Sequence, residues 1–151
     1  MTTTRRKGRK VSNPAPGADS GEGNLALIFD DIKRMMGGYS PPFKEGGGQI
    51  RGKRDYHLIV PKPVVLAPNA YGGKPYPVAM ASLVLQKDFV GFYFMPVYIA
   101  PGIKNRMSPE LAKLLKGKSC FHVRVLPLEL RQGIRDALEL GVQCFRERGW
   151  V

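Results

Sequence analysis

Two apolar runs separated by a polar dipeptide constrain this chain more than any other feature. Ala-Ser-Leu-Val-Leu-Gln begins at Ala81, Phe-Val-Gly-Phe-Tyr-Phe-Met begins at Phe89, and Lys87-Asp88 lies between them. That pattern predicts an antiparallel hairpin of two central strands. Lys-Asp suits a type I′ turn badly, so a wider loop is expected. On the second strand Val90, Phe92 and Phe94 share one face and Gly91, Tyr93 and Met95 the other, because successive side chains alternate. The phenylalanine face is the expected core side.

The remaining elements can be placed around that hairpin. A helix over about residues 24–36, capped by Asn24, carries Leu25, Ile28, Ile32, Met35 and Met36 on one stripe and ends at Gly37-Gly38. Residues 39–48, with Ser-Pro-Pro and a triple glycine, read as a long and mobile loop. Residues 55–66 read as a strand with Tyr56, Leu58 and Val60 on one side and His57 on the other, restricted to an edge or bulge from Pro61 and Pro63 onward. Residues 69–77 form a turn. Ser108 caps a short helix with Pro109 in its first turn, carrying Leu111, Leu114 and Leu115 and ending at Gly117. Residues 119–125 alternate as a strand, with Phe121, Val123 and Val125 inward and Cys120, His122 and Arg124 outward. Pro127 opens a last helix to about Arg148, whose stripe includes Leu130, Ile134, Leu138, Val142 and Phe145. Gly141 inside that stripe predicts close approach to a strand. The fold class is α+β: an antiparallel sheet with N- and C-terminal helices packed on one face and the other face at least partly open.

Charge decides where partners are sought. Of 24 basic and 12 acidic residues, five and two fall in residues 1–23, leaving 19 and 10 in residues 24–151 and a formal charge of +9 there. Residues 1–23 have too few apolar side chains to offset the entropy of ordering and read as a disordered basic tail, followed by one domain at 24–151. In that tail Arg5, Arg6, Lys7, Arg9 and Lys10 can hold nucleic-acid phosphates, act as an import signal, or solubilise the chain. No apolar run of about seven residues follows the basic cluster as a signal peptide requires, and none approaches the roughly 20 residues of a membrane span. A cytoplasmic protein without membrane contact is expected. Two cysteines and two histidines offer no zinc spacing.

Gly91-Phe92-Tyr93-Phe94-Met95-Pro96-Val97-Tyr98 and Leu115-Lys116-Gly117-Lys118-Ser119-Cys120-Phe121-His122 resemble the paired sequence blocks of the YdhG-like family of domains of unknown function. Tyr56-His57-Leu58, Leu85-Gln86-Lys87 and Phe145-Arg146-Glu147-Arg148-Gly149-Trp150 fit the same family, so the resemblance covers residues 24–151. It implies a frataxin-like two-layer sandwich. Some members of that family are described as frataxin-like iron chaperones for iron-sulfur cluster or haem assembly, which makes iron the one cofactor the resemblance suggests. Frataxins hold iron through an acidic ridge on the first helix and strand. Here that region has only Asp30, Asp31 and Asp55 among Lys33, Arg34, Arg51, Lys53 and Arg54, a surface whose sign repels ferrous ion.

The outward-facing residues define the expected site. Tyr93, Cys120, His122 and Arg124, with Lys116 and Lys118 at the mouth and His57 from a further strand, make a cationic and partly aromatic patch. Such a patch suits a small anionic ligand or an acidic protein partner, and Lys118 and Tyr93 are expected to serve one ligand. The alternative is a face packed on the long loop or on a partner chain, with Cys120 and His122 filling space. Cys120 and His122 stand roughly 7 Å apart along a strand, beyond hydrogen-bond reach. Spacing suggests no acid-base pair and no Ser-His-Asp arrangement, so a non-enzymatic binding domain is expected. A nucleic-acid-associated module remains the competing class, although the RNP pattern of RNA-recognition sheets is absent.

Overall fold

The two apolar runs are the third and fourth strands of a six-stranded antiparallel sheet in a computed structural model that describes residues 22–151. The strands are β1 (Lys44–Gly47), β2 (Asp55–Ile59), β3 (Ala79–Leu85), β4 (Val90–Phe94), β5 (Leu115–Lys116) and β6 (Cys120–Val123). Their order across the sheet is β1-β2-β3-β4-β6-β5. Leu85 pairs with Val90, so the hairpin closes through a four-residue loop in which Gln86 N donates to the Phe89 carbonyl at 2.9 Å. The wider loop expected of Lys-Asp is the one found. Both sheet edges are short and carry lysine, Lys44 on β1 and Lys116 on β5, which discourages edge-to-edge pairing.

Two long helices, α1 (Glu22–Gly37) and α4 (Leu128–Glu147), cover one face of the sheet. The architecture is therefore α+β, with an N-terminal and a C-terminal helix on an antiparallel sheet. Asp31 pairs with Arg131, and Tyr39, just past α1, donates to Glu139. Contacts that advance together along both helices mean that α1 and α4 run side by side in the same direction. The core between the layers contains Phe29, Phe43, Phe92, Phe94, Phe121 and Phe145, all fully buried. Each such ring contributes about 1.5–3 kcal/mol relative to leaving it in water. A β-carbon at Gly141 would stand 2.6 Å from Met80 Sδ and 2.8 Å from Phe94 Cε1, the close approach that its place in the α4 stripe predicts. The helix ends in a Schellman arrangement: Gly149 adopts φ 76°, Gly149 N donates to the Arg146 carbonyl and Trp150 N to the Phe145 carbonyl. Trp150 then packs edge-on against Phe145 at 4.9 Å.

Several boundaries differ from the sequence reading, each for a local reason. Helix α1 starts at Glu22, so Asn24 is a first-turn residue and not the cap. The Gly-rich stretch of residues 39–48 contains β1, held because an antiparallel ladder to β2 needs only backbone groups and because Phe43 anchors its start in the core. Helix α3 (Pro109–Ala112) is a single turn: Ser108 accepts from Leu111 N at 3.3 Å as a cap, but Leu115 and Lys116 leave the helix to pair with β6. A second short helix, α2 (Met95–Ile99), begins where β4 ends, because Pro96 removes the donor a continuing strand would need. Val125, expected inward, is 57% exposed, because β6 stops at Val123 and the chain turns outward before Pro127. The basic tail, with Arg5, Arg6, Lys7, Arg9 and Lys10, lies outside the described residues. No helix among the described residues is long and apolar enough to cross a membrane.

Candidate functional site

The sheet face away from the helices is organised by register. Gly46 pairs with His57, His57 with Ser82, Ser82 with Tyr93, Tyr93 with Cys120 and Cys120 with Lys116, so one row crosses all six strands. Alternation sends this row outward because the neighbouring row, Tyr56, Leu83, Phe92 and Phe121, faces the helices and is buried. No single strand shows the row in its own sequence.

At the β2 end the row carries a hydrogen-bonded chain of three side chains. His57 Nε2 lies 2.7 Å from Asp55 Oδ2, and His57 Nδ1 lies 2.7 Å from Ser82 Oγ. Asp55 Oδ1 accepts from Gly48 N at 2.8 Å and Oδ2 from Gln49 N at 2.9 Å, so the loop after β1 closes over a carboxylate whose side chain is fully buried. Burial by itself would raise the Asp55 carboxyl, but the hydrogen bonds from His57, Gln49 N and Gly48 N outweigh it and hold the group below the usual carboxylate range. Gly46, opposite His57, leaves the space that Ile59 and Gln49 occupy, since a β-carbon there would fall 2.7 Å from Ile59 Cδ1.

Further along the row, Tyr93 folds its ring over Gly91. A β-carbon on Gly91 would stand 2.9 Å from Tyr93 Cε1 and 3.5 Å from the hydroxyl, so the missing side chain lets the ring settle against the sheet. The Tyr93 hydroxyl has the Gln86 amide and the Cys120 thiol as neighbours. Burial first, then contact with Cys120, raises it above the ordinary phenol range, and burial also pushes the Cys120 thiol up. Gln86 is oriented in turn by Lys53 Nζ, 2.7 Å from its carbonyl oxygen.

A wall rises on the β2 to β3 side of this floor. The connection between β2 and β3 doubles back through reciprocal 2.9 Å hydrogen bonds between Val64 and Tyr76 and is anchored by buried Leu66 and Val78. At its tip Tyr71 adopts φ 53°, followed by Gly72 at 65° and Gly73 at 72°. A tyrosine in the left-handed region is strained. It is held by stacking on Tyr76 with ring centroids 3.9 Å apart and planes at 1°. Between wall and floor is a cleft of about 480 Å³, lined by Tyr71, Tyr76, His57, Ser82, Tyr93, Gln86 and Met95 among others. Met95, expected on the strand, reaches the same cleft from the first turn of α2.

The residues expected to form one site divide into two groups. His57 and Tyr93 line the cleft, with Cys120 beside Tyr93 on the neighbouring strand. His122, Arg124, Lys116 and Lys118 do not line it. His122 pairs with Gly91 and stacks on Phe89 with centroids 3.8 Å apart, and Arg124 covers the same Phe89 ring at 5.5 Å. Burial, then the charges of Arg124 and Lys116, holds the His122 imidazole below its ordinary value. Lys118 lies in the exposed turn between β5 and β6 with Nζ 5.7 Å from the Tyr98 ring. Lys118, expected to share one ligand with Tyr93, has its ammonium over Tyr98 and is not among the cleft-lining residues, whereas Ser119, next to it in the same turn, is. The cleft lining contains no lysine or arginine.

Sequence reasoning missed Ser82, Tyr71, Tyr76 and Gln86, and did not connect Asp55 to His57. The two-residue spacing of Asp55 and His57 on a strand was a signal, since it puts both on one face. Ser82 joins them only through the β2 to β3 register, which includes a bulge at Leu58 and Ile59. The acids of the first helix are engaged elsewhere: Asp30 binds Arg54 at 2.6 Å, and Asp31 pairs with Arg34 and Arg131. Among the described residues no three histidine, cysteine or carboxylate side chains gather as a metal ion would need. Fold and site together define a two-layer α+β domain with an aromatic cleft on its helix-free sheet face. No family model, curated protein or solved structure matches the chain.

Proposed function

We propose that the protein is a binding domain that takes a small planar ligand into the cleft on its helix-free sheet face. The observation that carries this reading is the pairing of a flat aromatic floor, Tyr93 over Gly91, with an aromatic wall held in a strained conformation, Tyr71 on Tyr76. Strain of this kind persists where the surrounding structure holds it in place, and it clusters at ligand clamps. A volume of about 480 Å³ lies in the range of small-molecule sites. The absence of lysine and arginine from the lining favours a ligand uncharged where it meets the sheet, in place of the anion expected from sequence. An iron-carrier role, implied by the resemblance to YdhG-like and frataxin-like domains, draws no support from Asp30 and Asp31, whose carboxylates are occupied by arginines.

Titration with naphth-1-ol, followed residue by residue in amide NMR spectra, tests the cleft. Shifts should concentrate on Ser82, Tyr93, Tyr71 and Tyr76, and Gly91→Ala, which pushes the Tyr93 ring off the sheet, should weaken binding by about tenfold, equivalent to 1.4 kcal/mol. Shifts confined to Lys116, Lys118 and Arg124 would refute the reading. The second reading, a nucleic-acid or acidic partner, is favoured by one observation: Arg124 over Phe89 and Lys118 over Tyr98 present cation-capped aromatic rings along the β6 to β5 edge. Binding there should weaken steeply as salt is raised.

A further inference from the structure

Resting on the cleft as the binding site, we infer that its ligand presents an N–H or O–H donor to Ser82. Asp55, His57 and Ser82 form a chain whose hydrogen-bond direction is set at its buried end. Both Asp55 oxygens accept backbone N–H groups, from Gly48 and Gln49, as an ionised carboxylate does. An ionised carboxylate has no hydrogen to give, so the group facing it, His57 Nε2, is the donor. In a neutral imidazole the other nitrogen then carries the lone pair, and the hydrogen bond made by one nitrogen decides the state of the other. His57 Nδ1 is therefore an acceptor, and Ser82 Oγ, 2.7 Å away, spends its single hydrogen on it. What Ser82 turns to the cleft is a pair of oxygen lone pairs.

The rest of the lining sharpens the preference. Tyr93 lies with its ring over Gly91 and the Gln86 carbonyl is taken by Lys53, so Tyr93 offers its ring face and Ser82 supplies the acceptor in the middle of the floor. A ligand atom bearing its own lone pair against Ser82 would meet an acceptor with an acceptor, and both would lose their water without replacement. The ligand class that fits is a planar aromatic carrying a ring N–H or a phenolic or amide-type donor on its edge. Asp55 and His57 act as positioning residues that decide what Ser82 recognises.

Indole and benzofuran test this, since they match in shape and differ by N–H against ring oxygen. With the full chain, indole should bind roughly three- to tenfold tighter than benzofuran, the range expected of one hydrogen bond. In Ser82→Ala the preference for indole over benzofuran should fall toward one, with an otherwise unchanged amide NMR spectrum showing that the fold is intact. Long-range 15N spectra of the imidazole should show His57 protonated at Nε2. Equal binding of both probes in the cleft, or His57 protonated at Nδ1, overturns the inference and leaves the cleft reading standing. If neither probe perturbs Ser82 or Tyr93, both fall together.

Discussion

Replacing Gly141 by alanine sets two effects of opposite sign against each other. In a helix interior the exchange is worth about 1 kcal/mol in favour of alanine, because glycine loses more backbone freedom on folding. Against this, the new methyl would stand 2.6 Å from Met80 Sδ and 2.8 and 3.0 Å from Phe94 Cε1 and Cζ. Methionine is unbranched and its thioether can swing aside. Phe94 cannot: it is fully buried and stacks on Phe92 with centroids 5.7 Å apart. Helix α4 must therefore lift or the sheet must shift, and overpacking of this kind costs about 1–3 kcal/mol. The balance is a loss of up to about 2 kcal/mol, which for a chain of this size lowers Tm by about 2–4 °C per kcal/mol. Urea unfolding followed by circular dichroism should show a lower midpoint with an unchanged slope. A variant about 1 kcal/mol more stable than wild type would mean that α4 stands off the sheet, and the packing described here would be wrong.

Phe43→Ala should destabilise about as much as Phe92→Ala, each by roughly 3–5 kcal/mol in urea unfolding, although one sits beside an edge strand and the other in the centre of the sheet. Lys118→Ala should leave naphth-1-ol binding unchanged within about twofold, whereas Tyr93→Ala should weaken it by at least about tenfold, a difference of 1.4 kcal/mol; equal losses in isothermal titration would put Lys118 back in the site. His122, held low by burial and by its cationic neighbours, favours folding above its unfolded value of about 6.5, and that contribution falls away as pH drops through the lower folded value. Arg124→Ala should move its NMR midpoint upward. Asp55 likewise contributes above its unfolded value of about 3.9 and loses that contribution as pH falls through its depressed folded value; Asp55→Asn should flatten this part of the acid-unfolding curve.

The α+β class, the central hairpin and the two covering helices were legible in the sequence because each rests on a periodicity that one segment carries by itself. Alternation in residues 90–94 and the stripe from Leu130 to Phe145 declare a buried face whatever lies opposite. Gly141 belonged to the same kind of signal, since a gap in an apolar stripe has to be filled by a neighbour. Strand β1 was not legible, because Lys-Glu-Gly-Gly has no apolar face and its pairing depends on backbone groups that every residue has. Only the tertiary structure decided the site. His57 and Tyr93 could be placed on the outward face by counting alternate residues, but whether His57 meets Ser82, and whether Lys118 meets Tyr93, depends on register between strands and on where a turn points. A bulge between Leu58 and Ile59 or a three-residue turn at Gly117, Lys118 and Ser119 changes those neighbours without changing any strand's own pattern. Hydrophobic burial is a property of each segment's face, whereas a hydrogen-bonded chain across strands is a property of their alignment.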